Sequence, residues 1–285
     1  MYKTINELVK EYNPQNLYET KNALREILQS IILIGLSRGG FFNKASFYGG
    51  TALRIFYGLN RYSEDLDFTL KEKNEDFSLS PYIKSIQNVA ASYGFQLEIN
   101  TKLKKIDTPI ESAFAKINTY QTFIQLKLDS NMTKLLHKDE YLKIKFEVDC
   151  NPALGFTSES RWIDMPEYAS ISVLDESSLF SGKIHAILCR TYKNNVKGRD
   201  YYDFLHYVRR RVSPNISYLR NKLIDTGKLC ENDEFNMEIL KKMLLERFES
   251  LDFNQVIDDA MKFTIHNEDL RYYSKELFID LLKKI

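Results

Sequence analysis

Two aspartates separated by one residue, Asp65 and Asp67, follow a Gly49-Gly50-Thr51 turn in this chain. The order is a short apolar segment Ala45–Tyr48, the glycine turn, a helical stretch Thr51–Leu59, Arg61-Tyr62-Ser63, and then Asp65-Leu66-Asp67-Phe68. Paired glycines ahead of a helix let backbone N–H groups approach a phosphate closely. Residues Asp65–Leu70 alternate as a strand does, so both carboxylates project from one face. In an acid-rich chain a DxD triplet alone carries little weight. Beside a phosphate cradle, two convergent carboxylates are what a magnesium-dependent phosphoryl or nucleotidyl transfer needs.

Further along, Lys183 and Arg190 lie seven residues apart on a predicted helix and share one flank, beside an apolar stripe of Ile184, Ile187 and Leu188. Arg190 suits either a surface salt bridge or a phosphate contact. Asp200 and Asp203 sit three apart on the next predicted helix. Asp200 suits a helix N-terminus, and Asp203 has Arg199 at i−4 as a pairing partner.

The block FYGGTALRIFYGLNRYSEDLDFTL resembles the signature of the AbiEii/AbiGii-type nucleotidyltransferase toxins of abortive-infection and type IV toxin–antitoxin systems, within the DNA polymerase β-like superfamily. The spacing from Thr51 to Asp65 is at the long end of the superfamily range. A second block, SGKIHAILCRTYKNNVKGRDYYDFLHYV (181–208), resembles the family's helical lysine motif followed by K-x-R-D-x-x-D. The resemblance implies a metal-dependent nucleotidyltransferase in which Asp65 and Asp67 bind Mg²⁺ or Mn²⁺. It implies that Gly49, Gly50, Thr51 and Ser63 cradle phosphate, that Lys183 holds the triphosphate, and that Asp200 has a functional role. It also implies a third carboxylate on a later strand. On Lys143–Asp149 both Glu147 and Asp149 lie on the required face. Glu147, at mid-strand, is favoured, because Asp149 runs into Cys150-Asn151-Pro152 and suits a turn. The family further implies a cognate antitoxin protein and an NTP substrate. Some members modify the tRNA 3′ end, which makes RNA the preferred acceptor. Arg209-Arg210-Arg211, with tyrosines nearby, suits either an RNA backbone or a helix end.

The elements that must position these residues read as an α/β fold: a nucleotidyltransferase-like mixed-sheet domain over 1–165, followed by a helical C-terminal domain over 166–285, with the active site in the groove they form. The first ~38 residues read as helix, opening on a Thr4/Glu7 capping box. Ser80–Tyr93 reads as helix, and Phe95–Ile99, Phe123–Leu128 and Tyr141–Asp149 read as strands. After Pro166 the helices predicted are Asp175–Thr191, Arg199–Arg211, Ile216–Ile224, Phe235–Ser250, Asn254–Phe263 and Tyr272–Ile285.

Composition bounds the rest. Forty basic and 39 acidic residues leave a net charge of +1, which argues against a generally basic nucleic-acid coat. Within that balance, Ser181–Lys222 holds ten Lys/Arg against two Asp, and Glu231–Leu270 holds eleven acids against four bases. Three scattered cysteines build neither a zinc knuckle nor a disulfide framework. His137, His185, His206 and His266 form no HxH or HExxH pair, and no GxSxG or P-loop motif occurs. The longest apolar run, Ile31–Leu36, is far too short to span a membrane. These features place the chain in the cytoplasm. Two other functions fit the same residues: a small-molecule, antibiotic-modifying nucleotidyltransferase, and a non-catalytic nucleotide- or protein-binding module of the same fold.

Overall fold

The computed structural model describes residues 4–101, 109–128, 130–190, 196–265 and 268–285. In chain order the elements are α1 (Ile5–Glu11), α2 (Leu17–Arg38), β1 (Ala45–Tyr48), α3 (Gly49–Tyr57), β2 (Leu66–Leu70), α4 (Ser80–Ser92), β3 (Glu98–Thr101), β4 (Ile110–Asn118), α5 (Thr119–Gln125), α6 (Ser130–Lys134), β5 (Tyr141–Asp149), β6 (Ser158–Ile163), β7 (Ala169–Leu174), α7 (Glu176–Cys189), α8 (Gly198–Arg209), α9 (Ile216–Asp225), α10 (Met237–Glu249), α11 (Phe253–Ala260) and α12 (Lys275–Leu281). The fold is mixed α/β, with one seven-stranded sheet in the order β3-β4-β5-β2-β1-β7-β6. β2 pairs parallel with β5, and β1 with β7, whereas β3–β4 and β4–β5 are antiparallel.

The chain divides into two compact units. The first comprises Met1–Phe47, Glu64–Pro152 and Ser160–Val173 and carries nearly all of the sheet. Its strands alternate. On β5, Leu142, Ile144, Phe146 and Val148 are buried while the residues between them are not. On β2, Leu66 and Phe68 point the same way, into a core where Phe41 meets Phe68 and Tyr82 edge-on at 5.0 and 5.2 Å.

The second unit comprises Tyr48–Ser63, Ala153–Glu159 and Leu174–Ile285. It gathers α3 with the helices from α7 onward. Its core is built on Tyr201, Phe204, Phe248 and Phe278, all fully buried. α8 opens on Gly198, where a Cβ would stand 1.9 Å from the Val256 carbonyl oxygen, so only glycine lets this helix start so close to α11.

Several elements differ from the sequence expectations. The N-terminal helix is two helices, parted at Asn13 (φ 46°) and Pro14 and restarted by the Asn16 cap. The Thr4/Glu7 capping box is present. Phe123–Leu128 is not a strand. Asn118 accepts from the Gln121 N–H at 2.8 Å and starts α5 in its place, leaving Phe123 buried and Ile124 exposed. β4, β6 and β7 were not expected, and β7 lies beyond Pro166, where only helices were predicted. The C-terminal helices stand where expected within a few residues. Thr191, at the predicted end of α7, and His266 lie outside the described residues.

Candidate functional site

In the first unit, Asp67 on β2 is the register partner of Glu147 on β5. Partners on neighbouring parallel strands share a face and stand about 5 Å apart. Both are half-buried, and they flank the buried Leu66, Phe68, Phe146 and Val148 of the opposite face. Asp65 immediately precedes β2 and is also half-buried, in phase with Asp67. Asp149 is level with Thr69, and its carboxylate accepts from the Asn151 N–H at 3.1 Å, an Asx turn that closes the strand. Glu147 carries an ion pair from Lys145 at 2.7 Å.

Among the described residues no group of three or more His, Cys, Asp or Glu is arranged to hold a metal. Mg²⁺ uses one or two carboxylates and takes its remaining oxygens from water and substrate phosphates. The hard oxygen donors of Asp67 and Glu147, side by side, fit that mode of binding.

In the second unit, Gly49 opens α3 at φ 84°, and the helix has no side-chain N-cap. A Cβ on Gly50 would lie 2.6 Å from Arg61 Nη2 and 3.0 Å from Ser63 Oγ, so a side chain there would have to displace the Arg61 guanidinium. Thr51 Oγ1 donates to Ser63 Oγ at 2.8 Å and ties the first turn of α3 to the segment after it.

The same unit holds a buried charge cluster. Arg61 donates from Nε and Nη2 to the two carboxylate oxygens of Asp203 at 2.6 and 2.7 Å. Lys183 Nζ lies 2.7 Å from Asp200 Oδ1 and 2.8 Å from Asp203 Oδ2. Arg190 reaches the other oxygen of Asp200. The side chains of Asp200, Asp203 and Arg61 are 1%, 0% and 3% exposed, Lys183 14%, and Arg190 46%. Burial alone would raise the Asp203 pKa, but the charges and hydrogen bonds of Arg61 and Lys183 outweigh it and bring it to about 2. Burial likewise opposes the charged form of Lys183, and Asp200 and Asp203 overcome it, raising its pKa.

Lys183, Arg190 and Asp200 are thus brought together. Arg190 pairs with Asp200 and is 46% exposed. Asp203 does not pair with Arg199, which lies over the Phe263 ring at 5.0 Å. A guanidinium from outside its helix outcompetes the i−4 neighbour because it binds both oxygens. Arg209 pairs with Asp269 at 2.7 Å and Arg210 with Glu176 at 2.7 and 3.0 Å, so two of the three consecutive arginines serve ion pairs at a helix end. Arg61 was missed as a site residue. Its only sequence signal is its place just before Ser63 and the DxD.

A family model described as the nucleotidyl transferase AbiEii toxin of type IV TA systems matches residues 31–274, and the chain belongs to that family. It is therefore a nucleotidyltransferase toxin, a class that implies a nucleotide substrate and an antitoxin partner. Among solved structures it is similar to MenT4, the nucleotidyltransferase toxin Rv2826c from Mycobacterium tuberculosis H37Rv. Identity is 16%, the match covers 98% of this chain and 99% of that one, and the TM-score is 0.50. It is also similar to JHP933 from Helicobacter pylori, at 16% identity over 92% of this chain and 88% of that one, with a TM-score of 0.48. No curated protein sequence matches. No helix among the described residues is long and apolar enough to cross a membrane.

Proposed function

We propose that this toxin transfers a nucleoside monophosphate from an NTP to an acceptor hydroxyl in the cytoplasm, with the 3′ end of an RNA such as tRNA as the acceptor. The acceptor oxygen bonds to the α-phosphorus, the bond to the β-phosphoryl oxygen breaks, and pyrophosphate leaves. Asp65, Asp67 and Glu147 are the residues that would hold Mg²⁺ or Mn²⁺, which when bound withdraws charge from the triphosphate. Glu147, paired with Lys145, is also the group poised to take the hydroxyl proton. Gly49, Gly50, Thr51 and Ser63 offer N–H and O–H donors to phosphate, and Lys183 offers its ammonium. Lys183 donates to Asp200 and ion-pairs with Asp203, and an ammonium has three N–H donors to share with phosphate. Asp200 holds the ammonium in place, and Arg190 meets the other oxygen of Asp200.

The observation that carries this reading is the register of Asp67 with Glu147. The experiment is incubation with each α-labelled NTP, Mg²⁺ and total RNA. Label in RNA that depends on Asp67 supports the reading. Label in a small molecule alone moves the acceptor to the antibiotic-modifying class, and no transfer to any acceptor rejects the reading.

A further inference from the structure

Arg61 is given no role by the chemistry above, although it is almost fully buried at 3% side-chain exposure. A buried ion pair is often no more stabilising than apolar residues of the same volume, so this one calls for another reason. The Arg61 guanidinium touches two elements. Nε and Nη2 take both oxygens of Asp203 on α8, at 2.6 and 2.7 Å, and Nη1 donates to the Tyr62 carbonyl at 2.9 Å. The same Nη2 sits 2.6 Å from where a Gly50 side chain would begin, on the first turn of α3. Asp203 Oδ2 accepts from Arg61 and lies 2.8 Å from the Lys183 ammonium.

The charges count simply. Arg61, Lys183 and Arg190 face Asp200 and Asp203, three cations against two anions, so the cluster keeps one positive charge. Without Arg61 the count would be two against two. Lys183 would then be the sole countercharge of a buried carboxylate 2.8 Å away. In a low-dielectric interior that attraction is strong, and an arriving phosphate would compete with it for the ammonium.

We infer that Arg61 is a positioning residue for nucleotide capture: by meeting the charge of Asp203 and resting on Gly50, it leaves Lys183 free to give charge and a hydrogen bond to phosphate. The inference rests on the proposed reading that Lys183 holds the triphosphate.

The test is calorimetric titration of each of the four NTPs with Mg²⁺ into the full chain, with melting temperatures measured alongside. The proteins are wild type, Lys183→Ala, Arg61→Met and the double variant Arg61→Met/Asp203→Asn. Lys183→Ala and Arg61→Met are expected to weaken binding roughly tenfold or more, the worth of a charge-assisted contact. Adding Asp203→Asn to Arg61→Met should bring affinity back to within about threefold of wild type, because no carboxylate remains there to hold the ammonium. Global stability does not set the NTP affinity of folded protein, so a purely structural Arg61 would not give this pattern. Unchanged affinity in Arg61→Met, with a loss in Lys183→Ala, overturns the inference alone. A double variant that binds as poorly as Lys183→Ala also overturns it and makes Arg61 a direct phosphate ligand. Unchanged affinity in Lys183→Ala overturns the proposed role of Lys183 and the inference with it. If Arg61→Met does not fold, the double variant, which buries no unpaired charge there, decides by the same criterion.

Discussion

Glu147 stands level with Asp67 on the neighbouring parallel strand, whereas Asp149 stands level with Thr69 and ends in an Asx turn. Two acids on one strand face are therefore not equivalent. Glu147→Gln is expected to lower nucleotide transfer by roughly 10²-fold or more, the scale of a lost proton acceptor. Asp149→Asn keeps the turn and should cost only a few-fold. Label transfer rates for the two variants check the ranking, and the reverse ranking would shift the site along the strand.

Divalent metal is expected to be required. A chelator should abolish transfer, and added Mg²⁺ or Mn²⁺ should restore it. Asp65→Ala and Asp67→Ala should each remove activity while leaving the melting temperature close to wild type, since both side chains are only half-buried. Near wild-type transfer in Asp67→Ala would place the metal elsewhere.

Lys183 is expected to matter for stability as well as for nucleotide. A solvated lysine would tolerate alanine within about 0.5 kcal/mol. Here the change removes a second cation from two buried carboxylates that Arg61 and Arg190 still pair, which costs on the order of 1.5–3 kcal/mol, the worth of a contact between charged groups. Urea unfolding of Lys183→Ala measures it. Lys183→Arg should recover stability better than NTP affinity, because a planar guanidinium can hold the aspartates without reproducing a compact ammonium at phosphate.

Acid should expose the same cluster. Asp203 has its folded pKa depressed from 3.8 to about 2. Its contribution is therefore fully present above its unfolded pKa and is lost as pH falls through about 2. Wild type should lose stability steeply between pH ~4 and ~2, and Arg61→Met/Asp203→Asn should show a shallower fall over that window. Urea midpoints measured across the window check it, and parallel curves would count against the assignment.

The parts of this fold that were legible in the sequence are those whose periodicity is local. The alternation in Asp65–Leu70 and Tyr141–Asp149 is visible along the chain, and so is the Thr4/Glu7 capping box that begins α1. Phe123–Leu128 also alternates, but a cap five residues earlier sets the helix, and the pattern misleads. The pairing of Asp67 with Glu147 is a register, which no spacing states. Arg61 and Asp203 lie 142 residues apart, so the partner of Asp203 had no local signal, and the nearer Arg199 looked adequate.

The second unit is assembled from three stretches of chain, 48–63, 153–159 and 174–285. Synthesis delivers the glycine turn and Arg61 long before Asp203, so this ion pair closes late. Closing so long a loop is entropically costly until the helices that reward it exist. A ribosome-bound chain that has not yet passed α8 holds the carboxylate strands but not the aspartate that seats Arg61.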